Sequence, residues 1–69
     1  MAHIQVSKVE QQSNGRSVFG VRVQGSAGRM EFPIAIQDEG TAGRNEMAVL
    51  RGALAFAEDL AASIRQRLA

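Results

Sequence analysis

The chain of 69 residues has no cysteine, tryptophan or tyrosine, and only one proline, one histidine and one lysine. Without cysteine there is no disulfide framework and no thiolate metal site, so the staples that commonly hold a small domain together are missing. A single histidine, His3, excludes a multi-histidine metal centre within one chain and reads as a surface residue. No stretch approaches the ~18–20 consecutive apolar residues of a membrane-spanning helix. The first residues, Met1 to Gln5, show neither a basic region nor an apolar core, which is not the pattern of a secretory leader. The expectation is a cytoplasmic protein with no membrane association. Charge of neither sign dominates: eight Lys and Arg against seven Asp and Glu leave a net charge of +1. Such a balance gives no general field toward nucleic acid or anionic lipid.

What is present is a regular pattern of apolar residues, 45% of the chain. Ile4 and Val6 alternate with Gln5 and Ser7, the period of a half-buried strand. Val9 breaks the parity, which predicts a bulge or strand end beside Lys8. Asn14-Gly15 then marks a hairpin, here expected as a type I′ turn. In the second strand Phe19, Val21 and Val23 share a face. Gly25-Ser26-Ala27-Gly28 forms the next turn. In the third strand Met30, Phe32, Ile34 and Ile36 point one way and Arg29, Glu31, Pro33 and Ala35 the other. Pro33 cannot donate to a ladder, so this strand belongs at a sheet edge, as a three-strand meander also requires.

After a polar, glycine-containing loop, Asn45 is expected as the N-cap of a helix, with Glu46 in its first turn and Arg65 and Arg67 in its last. Gly52 alone interrupts it, at a cost of about 1 kcal/mol relative to Ala. On a wheel of about 100° per residue, Met47, Leu50, Leu54, Ala57, Ala61, Ile64 and Leu68 form one stripe and Val49, Ala53, Phe56 and Leu60 a second beside it. Ala48, Gly52, Ala55 and Ala62 lie on another arc, where small residues read as exposed helix formers. The two apolar stripes together exceed the ~100° a helix needs to cover one sheet. A helix over 45–68 runs roughly 36 Å, and eight residues of strand roughly 26 Å. The helix should therefore overhang its sheet by about two turns, carrying Ile64 and Leu68 with it. Exposed apolar surface of this kind marks an interface. A chain this short has little core with which to offset its ordering entropy. A homodimer is the expectation, through the helix or a free sheet edge, with Val49, Phe56, Leu60, Ile64 and Leu68 as its contact residues.

The residues that carry chemistry point nowhere specific. Asp38-Glu39 and Glu58-Asp59 are adjacent pairs, and neighbours on a helix diverge by about 100° instead of converging on a substrate. None of the five serines lies in a nucleophile elbow with a histidine in reach. The Gly25–Gly28 turn joins strand to strand, so no helix N-terminus faces it as in a phosphate loop. The expectation is a protein that is not an enzyme, with no cofactor and no metal. A second reading uses the open sheet face, where Arg22, Gln24 and Arg29, assisted by Arg16 and Arg44, would contact nucleic acid.

The strand-strand-strand-helix order and the segment Thr41 to Ala57, with Glu46 and Ala48 inside it, resemble the first helix of the RNase H fold and its preceding meander. In that family the helix carboxylate binds metal, and Glu46 matches it. The strand Ile4 to Val9 supplies no aspartate, so the resemblance implies a half-fold without the metal site. Such half-folds are similar to small HicB-type antitoxin domains, which dimerise and neutralise a partner. The order is also similar to double-stranded-RNA-binding-like folds and to the three-stranded DNA-binding domains of some integrases. The reading is thus one α+β domain over residues 1–69, with antiparallel strands at about 3–10, 17–24 and 29–36 and a helix at about 45–68. Its expected function is a non-catalytic interaction or regulatory module, acting as a homodimer.

Overall fold

The computed structural model describes residues 2–69 and has the expected α+β architecture. Strands β1 (His3–Gln11), β2 (Arg16–Gly25) and β3 (Gly28–Gln37) form one antiparallel sheet in the order β1-β2-β3, followed by the helix α1 (Ala42–Leu68). Pro33 lies on an edge strand, as its missing N–H requires.

The register sorts the side chains cleanly. Val6 pairs with Val21 and Ile4 with Val23, while Phe32 and Met30 pair with the same two β2 residues from the other side. These and Phe19, Ile34 and Ile36 form the helix-facing side. The register slips between Lys8 and Glu10, leaving Val9 as the extra residue of a bulge. This is the parity break seen in the sequence. The bulge tips Val9 over Gly20, where an added Cβ would lie 3.3 Å from the Val9 side chain. Glycine there leaves room for the bulged residue.

The first hairpin differs from expectation. Asn14 does not have positive φ, so the turn is not type I′; Gly15 alone does, at φ 82°. The Gly15 amide donates to the Gln12 carbonyl, and the Gln12 amide to that of Arg16. This is the three-residue loop that ends on a left-handed glycine. Asn14 acts through its side chain instead, accepting from the Arg16 amide at 3.1 Å.

The helix also starts earlier than expected. Thr41, not Asn45, is the N-cap, its hydroxyl accepting from the Arg44 amide at 3.2 Å. Glu46 consequently lies beyond the first turn, which carries no acidic residue. Asn45 is buried inside the helix and ties it to the preceding loop. Its Oδ1 accepts from the Glu39 amide at 2.7 Å and its Nδ2 donates to Asp38 Oδ1 at 3.4 Å. The Gly40 amide donates to the same Asp38 oxygen at 2.8 Å.

These bonds, first that from Gly40 and then that from Asn45, hold the Asp38 carboxyl below its ordinary value of 3.8. A depressed folded-state pKa gives stability that is present above the unfolded-state value and lost as pH falls through the folded one. We expect the urea midpoint of the protein to drop between pH 5 and pH 3 by more than that of an Asp38→Asn variant. Equal drops in the two would show that these bonds do not discriminate the charged form.

The core is small. Among the described residues Phe19, Val21 and Val49 are the buried hydrophobics, with Val6, Val23, Phe32, Ile34, Ile36 and Ala53 packed around them. The helix lies chiefly on β3. Gly52 faces the sheet, not solvent as the small-residue arc suggested: a Cβ there would meet Ile34 at 3.3 Å. The missing side chain lets helix and strand approach. Farther along, Phe56 stacks on Phe32 with ring centroids 5.3 Å apart, tilted by 35°. The sheet-facing stripe is therefore Val49, Gly52, Ala53 and Phe56.

Candidate interaction surface

A helix about 10 Å across covers roughly two strands spaced ~4.8 Å apart. Because α1 sits over β3, the β1 side of the sheet is left open. The result is an apolar groove of about 600 Å³ between helix and sheet. Ile4, Val21 and Val23 form its floor; Met30 and Phe32 line the β3 side; Leu50, Leu54, Ala57 and Leu60 rise from the helix. Among the described residues Arg29 is the only charged one that lines it. Ile4 is 57% exposed and Leu54 61%.

The helix continues past the groove. Its 27 residues match the long dimension of the molecule, 42 Å, and the last turns bear Ile64 and a Leu68 that is 80% exposed. The outer stripe expected from spacing, Met47 to Leu68, is thus mostly turned away from the sheet. Of the residues proposed from sequence as interface contacts, Phe56 and Leu60 border the groove and Ile64 and Leu68 extend it. Val49 is a correction: it is wholly buried between helix and sheet and belongs to the core. Ile4, Val23, Met30, Leu50 and Leu54 also line the groove and were not among the residues proposed from sequence. Their apolar character was visible, but their exposure depends on where the helix docks.

Surface area gives a measure of the deficit. The chain exposes 5518 Å², against about 4,200 Å² expected for a folded monomer of 7.4 kDa. Its radius of gyration is 13.5 Å, where a self-contained domain of this length has about 11 Å. The excess area, on the order of 1,300 Å², exceeds the ~800 Å² one partner contributes to a standard interface.

Of the five residues proposed for nucleic acid, three lie together and two lie apart. Arg22 and Arg29 lie on the open face of neighbouring strands, with Gln24 paired to Arg29. Arg22 forms an ion pair with Glu31 at 3.4 Å, both side chains more than half exposed. Arg16 is at the opposite end of β2, paired with Gln37. Arg44 is in the first turn of α1, in the other layer. Elsewhere, Ser17 is fully buried and donates to Gln11 at 3.4 Å, and Gln11 also accepts from Lys8. Among the described residues no cluster of His, Asp or Glu is arranged to hold a metal ion, and no helix is long and apolar enough to cross a membrane.

The fold and groove define a βββα domain with an exposed apolar surface. No protein-family description, curated protein or solved structure matches the chain.

Proposed function

We propose that the protein is a non-catalytic interaction module that acts as a homodimer. The observation that carries this reading is the groove: about 600 Å³, apolar on both walls, and continued by an exposed helix end. A concavity with one charged lining residue suits an apolar side-chain surface better than a polar substrate. The excess exposed area is of the size that a second chain would remove. The βββα order is also that of the HicB-type antitoxin domains the chain resembles, which suggests a regulatory role toward a further protein. Light scattering or sedimentation at micromolar concentration tests the dimer. The expected mass is that of two chains, with a melting temperature that rises with protein concentration. A single-chain mass up to hundreds of micromolar would overturn the proposal.

The alternative, nucleic-acid binding through Arg22, Gln24 and Arg29 with help from Arg16 and Arg44, has less support. Glu31 opposes the charge of Arg22 in the middle of that face. Salt-sensitive binding of duplex DNA or RNA at tens of micromolar would restore it.

A further inference from the structure

We infer that the second copy docks helix to helix along the outer stripe, with the two helices parallel and the two sheets on opposite sides. This rests on the homodimer proposed above and assigns its geometry. From Met47 to Leu68 the outer stripe repeats at alternating intervals of three and four residues, without interruption. That is a heptad seam, in which Met47, Leu54 and Leu68 occupy one core position and Leu50 and Ile64 the other. The sheet does not use it: the sheet-facing stripe is Val49, Gly52 and Phe56. The seam continues over Ile64 and Leu68, beyond the residues that line the groove, and both are exposed.

Orientation follows from what lies beneath the seam. Each helix rests on β3, and the middle of its seam, Leu50, Leu54 and Ala57, lines the groove over β1 and β2. Packed helices approach to 8–10 Å, about two strand spacings. Antiparallel seams would place both sheets on the same side, and the two sets of β1 and β2 would compete for one space. Parallel seams put the two-fold axis along the helices and the sheets on opposite sides. The partner helix then lies over the groove floor, where Ile4 is 57% exposed. In that arrangement Glu46 faces Arg51 of the partner subunit, and Arg51 faces the partner's Glu46, the flanking pairing that specifies parallel coils. The overhanging ends meet each other.

The absence of native cysteine makes the test clean. Met47→Cys and Ile64→Cys are made singly and oxidised alone and as a mixture, with Ala62→Cys, exposed and outside the seam, as the control for random collision. Equivalent seam positions in a parallel pair fall within the ~4.4–6.8 Å a disulfide spans. The expected result is a covalent dimer from each seam variant alone and none from Ala62→Cys. Leu68→Cys, at the last helical residue, gives the same readout without risk to folding. A two-chain mass with cross-linking only in the Met47→Cys and Ile64→Cys mixture would show antiparallel helices. A two-chain mass with no seam cross-link would show another dimer surface. Either overturns this geometry and leaves the homodimer standing. A one-chain mass for the unmodified protein overturns both.

Discussion

Val49→Asp is expected to abolish folding. Val49 is completely buried, and among the described residues Phe19 and Val21 are the other buried hydrophobics. A carboxylate there would lose its hydration without a partner, at a cost of several kcal/mol even after relaxation. Domains of this size have little stability in hand, on the order of 0.1 kcal/mol per residue. The circular dichroism of the variant should be that of a coil at 25 °C, with no cooperative urea transition. The milder Val49→Ala should still unfold cooperatively, about 2 kcal/mol less stable from lost methyl burial and the cavity left behind. A folded Val49→Asp protein would mean that the sheet-facing stripe has been assigned to the wrong side of the helix.

That assignment is where sequence reasoning reached its limit. Period two in the strands, the bulge at Val9, the edge position of Pro33 and the exposure of Ile64 and Leu68 were all legible. Each depends on spacing or on one residue's covalent geometry. The helix cap was not. Asn at position 45 is a good cap by preference, and Gly43 beside it reads as loop. The loop from Asp38 to Gly40 instead folds back onto the Asn45 amide, a tertiary contact that no local pattern announces. The first hairpin failed similarly: Asn-Gly is compatible with two loop types, and the partner of the Gln12 amide decides between them. Two adjacent apolar stripes made the helix ambiguous about which one met the sheet. Gly52 resolves it, because close approach to Ile34 requires an absent side chain on that face. The same glycine, read from sequence, was an exposed small residue.

Leu54→Glu, five residues from Val49 on the same helix, is expected to act in the opposite manner. In a single chain Leu54 is largely in solvent, so a charge there costs little on its own account. Glu and Leu have similar helix propensities. The new carboxylate repels Glu58 one turn on but attracts Arg51 one turn back, each by a few tenths of a kcal/mol. A monomer would hardly register the change. In a seam packed on its copy the substitution buries two like charges against each other. A loss of about 3 kcal/mol corresponds to a dissociation constant raised by roughly 100-fold. The mass should fall to one chain at concentrations where the parent protein is paired. The melting temperature should drop and cease to depend on concentration, because the excess apolar surface is no longer covered. Helical circular dichroism should survive at low temperature, separating this variant from Val49→Asp. A Leu54→Glu protein that kept a two-chain mass and its parent's melting temperature would place the contact away from the helix, on the β1 edge that the sheet leaves unpaired.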